Sequence, residues 1–268
     1  MPIRVVIAGA TGWVGKALVP AVRTQEDMVL AGAVSRAAAG QDAGTAIGLD
    51  VVGVTVAATL EEALATPSDV LVDYTKPHVV KDHVLAAIAA GRHVVVGTSG
   101  LGAADYAEIA AQAEARGVGV VAAGNFSITA TLLKRFALMA AKYVPDVEII
   151  DYASAKKPDA PSGTARELAE ALAQVRGAST ARPQAEVSGV PETRGAAVGE
   201  GAGVQVHALR LPSYILSCEA LFGLPDERLT IRHDAGSSAA PYVAGTLLAI
   251  RRVAGIRGLV RGLDTLID

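Results

Sequence analysis

The chain has 268 residues, with 24 Lys and Arg against 27 Asp and Glu and a formal net charge of −3 at pH 7. Hydrophobic residues make up 51%, which supports a dense core and excludes an intrinsically disordered chain. The slightly acidic balance and an aromatic content of 4% argue against nucleic-acid binding. Cys218 is the single cysteine, so no internal disulfide or cysteine metal cluster can form.

Nothing in the sequence predicts a membrane segment or a secretion signal. The longest stretch without a charged side chain, residues 117–133, has 17 residues and contains Asn, Ser and Thr, so it is too short and too polar to span a bilayer. The N-terminus lacks the basic, apolar and cleavage-site order of a signal peptide. We therefore expect a soluble, cytoplasmic protein with a small-molecule substrate.

Short runs rich in valine and isoleucine alternate with helical patterns over the first 125 residues. The predicted strands are Ile3–Ala8, Met28–Val34, Val70–Tyr74, His93–Val96 and Val118–Ala122. The predicted helices between them are Trp13–Arg23, Val79–Ala90 and Ala103–Arg116. Apolar strands that alternate with helices are typical of a parallel sheet covered on both faces. The pattern predicts a Rossmann-type, doubly wound α/β domain that binds ligands at the carboxyl ends of its strands.

The pattern changes after Asn125. Helices are predicted at Ile128–Tyr143, Thr164–Gln174 and Pro241–Val253, and strands at Val147–Ala153, Val204–Leu211, Ile215–Phe222 and Arg228–His233. The intervening segment 177–203, rich in Gly, Pro and charge, is predicted to be loop with at most one short strand. This order of elements predicts a second, α+β domain built on a mostly antiparallel sheet.

A glycine turn directly follows the first strand and precedes a helix. Its spacing is G-x-x-G-x-x-G, formed by Gly9, Gly12 and Gly15. Such a turn lets backbone N–H groups approach a pyrophosphate at the helix N-terminus, although glycine also occurs in many strand–helix turns for steric reasons. We predict that the whole turn binds a dinucleotide cofactor: Gly9, Ala10, Thr11, Gly12, Trp13, Val14 and Gly15.

The end of the second strand indicates which cofactor binds. An acidic residue there would accept hydrogen bonds from a ribose 2′-hydroxyl, but the residues present are Ser35 and Arg36. A serine hydroxyl and a guanidinium both suit a 2′-phosphate. We predict that NADPH is preferred, with NADH as the second option; the alternative is that Arg36 is an ordinary solvated surface residue.

Three further loops follow strand ends, so they are expected at the same edge of the sheet. They contribute the remaining cofactor-binding candidates: Thr75, Gly97, Thr98, Ser99, Gly124, Asn125 and Phe126. Small residues and backbone amides suit the close approach of a flat nicotinamide ring. Each loop alone could be an ordinary turn, whereas three on one edge favour a binding site.

A polar loop in the second domain, K-K-P-D-A-P-S-G-T-A from Lys156, precedes a predicted helix. Ser162, Gly163 and Thr164 are the substrate-binding candidates here: Ser162 is placed to cap the helix, and the N–H groups of Gly163 and Thr164 would then point outward to bind a carboxylate. Lys157 could donate a proton if burial beside cationic neighbours lowers its pKa towards neutrality. The alternative is an ordinary capped helix with solvated lysines.

Five motifs, in this chain order, resemble the dihydrodipicolinate reductases of lysine biosynthesis: G-x-x-G-x-x-G, D-Y-T-x-P, G-T-S-G, G-N-F-S and K-x-D-A-P-S-G-T-A. The last motif is highly specific, and the resemblance covers nearly the whole chain. It implies a dinucleotide-binding domain of residues 1–126 plus 240–268. It also implies a substrate-binding domain of residues 127–239 whose sheets associate into a homotetramer.

The resemblance also implies residue roles. The glycine turn would hold the pyrophosphate, Arg36 would face the 2′-phosphate, and Lys157 would be the proton donor. Gly163 and Thr164 would clamp a substrate carboxylate. The nicotinamide would be lined by Gly97, Thr98, Ser99, Asn125 and Phe126.

The second domain departs from the family pattern. Two adjacent family histidines are replaced by Ala153 and Ser154, and the basic residue after the paired serines is replaced by Ala239. Ser154 remains a substrate-binding candidate, and the hydroxyl of Tyr152 is a candidate to assist in catalysis. His207 and His233 are expected to be structural rather than replacements for the lost imidazoles.

These departures lead us to predict an NADPH-dependent oxidoreductase that transfers hydride to a C=N or conjugated C=C bond of a small substrate other than dihydrodipicolinate. One alternative is the orthodox 4-hydroxy-tetrahydrodipicolinate reductase, in which Lys157 acts without histidines. The other is a catalytically silent NADPH-binding regulator.

Overall fold

The computed structural model describes residues 1–267 and contains twelve strands and seven α-helices within that range. The strands are β1 (Ile3–Ala8), β2 (Met28–Val34), β3 (Val56–Ala57), β4 (Val70–Asp73), β5 (His93–Val96), β6 (Gly119–Ala122), β7 (Asp146–Ala153), β8 (Ala196–Val198), β9 (Val204–Arg210), β10 (Leu216–Leu224), β11 (Glu227–Ala235) and β12 (Gly258–Arg261). The helices are α1 (Gly15–Arg23), α2 (Leu60–Leu64), α3 (Val80–Ala89), α4 (Ala103–Arg116), α5 (Ile128–Ala141), α6 (Gly163–Val175) and α7 (Ala240–Val253).

The chain divides into two compact units, residues 1–128 with 239–268 and residues 129–238. The expected boundaries were 126/127 and 239/240. The first unit is therefore discontinuous in sequence, because the chain leaves it after the sixth strand and returns to it with α7 and β12.

The first unit is a seven-stranded parallel sheet in the order β12-β6-β5-β4-β1-β2-β3, which confirms the doubly wound fold. Two cores cover its faces. Leu18 of α1 and Ile250 of α7 are buried on one face, and Ile88 of α3 and Ile109 of α4 on the other. Because both faces are covered, the central strands read as continuous apolar runs.

The second unit is a five-stranded sheet in the order β11-β10-β7-β9-β8. Three of its pairs are antiparallel and the β7–β9 pair is parallel, so the sheet is mixed and mostly antiparallel, as predicted. Leu133 of α5 and Leu168 of α6 pack on one face against Ile149 and Phe222. Since strand residues alternate between faces, Ile150, Tyr152, Glu219 and Leu221 lie on the opposite face.

Several short elements were not predicted from the sequence: β3, α2, β12 and two 3₁₀ turns at Arg36–Ala38 and Thr45–Ile47. Helix α1 also begins at Gly15 rather than at the predicted Trp13, because residues 9–14 form the turn that follows β1. No helix within residues 1–267 is both long and apolar enough to cross a membrane.

Candidate functional site

The glycine turn is required by close packing at the end of β1. Gly9 has a φ of +82°, and a side chain there would collide with the backbone oxygen of Tyr74. A side chain at Gly15 would collide with the backbone oxygen of Gly9. The turn thus folds tightly against the loop that follows β4, which leaves a cradle of exposed backbone at the N-terminal end of α1.

A cavity of about 840 Å³ lies within the first unit, beside this turn. Six of the predicted cofactor residues line it: Gly9, Thr11, Gly12, Ser35, Arg36 and Thr75. The cavity volume is in the range of small-molecule and cofactor sites. Its glycine cradle fits a nicotinamide dinucleotide.

The cavity also contains residues that the sequence analysis did not single out. Lys76, His78 and His83 line it, as does Glu61 of α2. Lys76 and His78 follow the fourth strand at the same sheet edge as the glycine turn, which is the signal that could have identified them. Lys76 gives the cavity a second permanent cation besides the exposed Arg36.

The hydroxyls of Thr11 and Ser35 lie 2.6 Å apart and share a hydrogen bond. This bond joins the glycine turn to the end of β2. The hydroxyl that accepts this bond keeps its own proton, so it can donate a hydrogen bond to a ligand. Ser35 is therefore oriented by the turn rather than free to rotate.

Other predicted residues of the glycine turn are not cavity walls. Ala10 is buried in the core, Val14 packs against that core, and Gly15 is buried at the start of α1. Trp13 is 57% exposed, and its ring meets Tyr242 edge-on with centroids 5.6 Å apart.

The predicted cofactor-binding residues in the loops after β5 and β6 differ in their exposure, and some are buried. Gly97 packs so closely on the Tyr74 ring that a side chain would collide with it, while Ser99 and Gly124 are exposed. Thr98 is buried and donates its hydroxyl to Asp73 at 2.6 Å. None of these residues lines the 840 Å³ cavity.

Phe126 departs from its predicted role. Its side chain is 1% exposed and packs in the core, edge-on to the Tyr74 ring with centroids 5.9 Å apart. Burial raises the pKa of Tyr74, whose hydroxyl bonds to Thr246 at 2.8 Å. Only backbone atoms at Phe126 could therefore contact a nicotinamide. Asn125 accepts a hydrogen bond from the Ser127 N–H at 2.8 Å, which fixes the turn after β6.

The predicted helix cap in the second unit is present. Ser162 precedes α6, and its hydroxyl oxygen accepts a hydrogen bond from the Ala165 N–H at 3.3 Å. Ser162 is 2% exposed and also donates to the buried carboxylate of Asp151, so its side chain is not available to a substrate. Gly163 has open space at the position of a Cβ, which leaves the helix N-terminus accessible there.

Lys157 lies in the loop between β7 and α6, with its ammonium 2.7 Å from the carboxylate of Asp159. The Lys157 ammonium lowers the pKa of Asp159. The partner of Lys157 is thus a carboxylate and not the cationic neighbour that the sequence analysis required for a lowered lysine pKa.

Tyr152 lies on the opposite face of β7 from Asp151, because strand side chains alternate. Its hydroxyl donates to Glu219 at 2.9 Å, and the Arg232 guanidinium lies 4.9 Å from its ring centre. Burial and the Glu219 carboxylate raise the pKa of Tyr152. The structure therefore places this hydroxyl on the face of the sheet opposite Ser162, where it is bonded to Glu219.

The positions of the lost histidines hold no titratable group. Ala153 is fully buried, and the Ser154 N–H donates to the backbone oxygen of Ile215 at 3.3 Å. His207 bonds to Glu148 at 2.7 Å and His233 to Thr129 at 3.1 Å. Burial lowers the pKa of His233. These contacts fit the expected structural roles of the two histidines.

Two family models together match nearly the whole chain. The model described as dihydrodipicolinate reductase, N-terminus, matches residues 3–126, and the model described as dihydrodipicolinate reductase, C-terminus, matches residues 129–267.

The curated relatives match over their full length. A 4-hydroxy-tetrahydrodipicolinate reductase of Synechococcus elongatus is 39% identical over 273 residues, covering 99% of each chain. The enzyme of the same name from Desulfitobacterium hafniense is 38% identical, again covering 99% of each.

A solved structure of a dipicolinate-bound dihydrodipicolinate reductase from Paenisporosarcina sp. TG-14 has a TM-score of 0.86 at 32% identity and covers 100% of both chains. An amine dehydrogenase from Mycobacterium smegmatis, at 15% identity and a TM-score of 0.65, covers 97% of this chain and 95% of its own, and shares the fold.

Proposed function

Because the chain belongs to the dihydrodipicolinate reductase family, we propose that it is an NAD(P)H-dependent reductase of 4-hydroxy-tetrahydrodipicolinate. The relatives at 38–39% identity carry that name over their whole length. They favour this alternative of the sequence analysis over its main prediction of a different substrate.

The first unit supports the cofactor part of the proposal. NAD(P)H would supply the hydride. The glycine turn would receive the pyrophosphate at the N-terminal end of α1, where Gly9 and Gly12 allow a close approach although their own N–H groups donate to the backbone oxygens of Val34 and Gly9. Of the joined hydroxyls of Thr11 and Ser35, the one that accepts the shared bond would donate to an adjacent phosphate oxygen. Arg36 and Lys76 are the cavity cations that suit a 2′-phosphate, so NADPH is the preferred form of the cofactor in this proposal.

The second unit supports the substrate part. The N–H groups of Gly163 and Thr164 at the start of α6, a helix of 13 residues, would bind a substrate carboxylate. The Lys157 ammonium would exchange its ion pair with Asp159 for a substrate carboxylate, or would donate the proton that must follow hydride delivery. The capped loop from Lys157 to Thr164 is the observation that carries this assignment.

A second candidate is the reduction of a related C=N or conjugated C=C bond in another small acid. Ala153 and Ser154 favour it, because a cyclic dicarboxylate loses two hydrogen-bonding and positively charged partners where imidazoles are absent.

Oxidation of NADPH in the presence of freshly generated 4-hydroxy-tetrahydrodipicolinate tests the proposal. A panel of cyclic imines and enones with one or no carboxylate is run in parallel. We expect kcat/KM to be highest for the dicarboxylate. A higher value for another member would support the second candidate, and binding of NADPH without turnover of any member would support a silent regulator.

A further inference from the structure

Asp73 is a fully buried carboxylate at the carboxyl end of β4. Its Oδ1 accepts hydrogen bonds from the Thr98 hydroxyl at 2.6 Å, the Thr75 hydroxyl at 2.7 Å and the Thr75 N–H at 3.1 Å. Its Oδ2 lies 2.8 Å from Nδ1 of His83. One carboxylate therefore joins the loop after β4, the loop after β5 and the first turn of α3.

These bonds occupy the hydroxyl and N–H donors of the two loops that could otherwise bind a ligand. The Thr75 N–H lies 2.7 Å from the Thr98 oxygen as well, so the two loops are also bonded directly to each other. Both threonine hydroxyls donate to Asp73, which leaves them unable to donate to a cofactor. Their contribution to binding is therefore to hold the backbone of the two loops in place.

The Asp73 carboxylate is buried, but two of its three partner residues line the cavity. Thr75 and His83 line the 840 Å³ cavity, and so do Lys76 and His78 from the segment between them. Pro77 in this segment packs so closely on Gly100 that a side chain at Gly100 would collide with it. The Asp73 bonds therefore connect directly to the backbone that forms this part of the cavity wall.

We propose that Asp73 is a positioning residue for cofactor binding, which holds the loops after β4 and β5 in the conformation that receives the dinucleotide. A buried carboxylate is unfavourable unless several donors surround it, and a buried polar cluster of this kind is weak evidence for a role in stability alone. The inference rests on the cofactor part of the proposed function.

The test is isothermal titration of the full chain with NADPH and with NADH, repeated for Asp73→Asn. The amide has nearly the same shape, but it loses the charge and replaces one acceptor oxygen by a donor. We expect the Kd for both cofactors to rise by about tenfold or more, with their ratio nearly unchanged, because the loops and not the 2′-phosphate contacts are disturbed. The emission of Trp13, the single tryptophan, gives a second readout of binding.

Asp42→Asn is the matched control. Asp42 belongs to the same unit, and its carboxylate accepts the backbone N–H groups of Gly44, Thr45, Val52 and Gly53 at 2.8–3.3 Å. It does not line the cavity. This variant should lower the unfolding temperature and leave both cofactor Kd values within about twofold of the wild type.

A double-mutant cycle with Thr98→Val separates positioning from general destabilisation. If Asp73 acts through Thr98, the double variant should bind NADPH about as weakly as Asp73→Asn alone. If Asp73→Asn does not fold, Thr75→Val and Thr98→Val should each raise the Kd severalfold. A folded Asp73→Asn with the wild-type Kd, or an equal rise in Asp42→Asn, would overturn the inference. Failure of the wild type to bind either cofactor would instead overturn the proposed function.

Discussion

Ser162 donates twice to the carboxylate of Asp151, through its hydroxyl to Oδ1 at 2.6 Å and through its backbone N–H to Oδ2 at 2.8 Å. The same carboxylate accepts from Arg210 at 2.8 Å, and Arg210 also donates to the backbone oxygen of Asp159 at 2.9 Å. The loop that carries Lys157 is thus fixed to the sheet at its far end and near its middle. The N-terminus of α6 is held in one position before any substrate arrives.

Ser162→Ala should lower the free energy of unfolding of the second unit by about 1–2 kcal/mol, because it removes a helix cap and a donor to a buried carboxylate. Urea denaturation followed by circular dichroism measures the loss. Thr59→Ala is the control, since Thr59 caps the five-residue α2 through one bond to the Glu62 N–H at 3.3 Å. An equal loss in both variants would show that the hydrogen bond from Ser162 to Asp151 adds nothing to the free energy of unfolding.

Arg36→Asp should reverse the cofactor preference. For the wild type we expect NADPH to bind about tenfold or more tightly than NADH, since the 2′-phosphate gains a charge-assisted hydrogen bond. The introduced carboxylate would repel that phosphate and accept from a ribose hydroxyl instead. Titration calorimetry measures both affinities. Arg23→Asp, the same charge change on an exposed residue of α1 outside the cavity, should retain the preference. Equal wild-type affinities would contradict the assignment.

Lys157→Ala should lower kcat by about 10²–10⁴-fold, the usual contribution of a general acid, and leave the Kd for NADPH nearly unchanged. Lys156→Ala removes a neighbouring exposed ammonium and should stay near wild type. Tyr152→Phe should also retain most activity, because its hydroxyl bonds to Glu219 on the other face of the sheet. Full activity of Lys157→Ala would assign the proton to water or to another residue.

The stability of the first unit should fall as the pH drops below about 6.5. Nδ1 of His93 accepts a hydrogen bond from the Gly119 N–H at 2.9 Å, and burial holds the pKa of His93 below its ordinary value, against a smaller opposing effect of Asp69. Above about pH 6.5 the ring is neutral in both the folded and the unfolded chain. Below it the unfolded chain takes up the proton first, so stability is lost until the lowered folded pKa is reached.

Thermal unfolding followed between about pH 7.5 and 5.5 measures this loss, in a range where carboxylates do not titrate appreciably. His93→Gln cannot titrate and should show a flatter dependence than the wild type. His233→Gln should change the pH dependence of the second unit instead, because His233 belongs to that unit and its pKa is also lowered by burial. A His93→Gln variant with the wild-type slope would contradict the prediction.

The second unit should assemble into a homotetramer through its sheet. The face opposite α5 and α6 carries Ile150 and Leu221 between charged side chains, and the edge strand β11 pairs on one side with β10 within the described residues. Such faces and edges require cover. Light scattering at micromolar concentration should give four chains, and Leu221→Arg should lower that mass. Met139→Arg, an exposed apolar position on α5, should not. A monomeric wild type would exclude the assembly.

Local chemistry explains which features the sequence could predict. The bounds of β1, β2 and β5 follow from short runs rich in valine and isoleucine, and the Ser162 cap follows from the S-G-T-A pattern. The strand β12 was missed because its four residues, including Gly258 and Arg261, become a strand only by pairing with β6, far away in sequence.

In the candidate site, too, local features could be predicted and long-range contacts could not. The bond between Asp151 and Arg210 spans 59 positions, and the bond between Asp73 and Thr98 spans 25. No periodicity in the sequence specifies such partners, because they are set by the order of strands in the two sheets. The burial of the Phe126 side chain could not be predicted for a related reason: an aromatic residue after a strand suits a nicotinamide pocket and a core equally well.

The return of the chain to its first unit affects the order of events during synthesis on the ribosome. Ile250 and Val253 of α7 and Leu263 belong to the same core as Val5 and Leu18, so that core stays incomplete until about the last 30 residues have emerged. Residues 129–238, by contrast, leave the exit tunnel as one contiguous block. The second unit can therefore finish folding first. Until α7 has been synthesised, the face of the parallel sheet that α7 covers stays partly exposed, and chaperones can reach it.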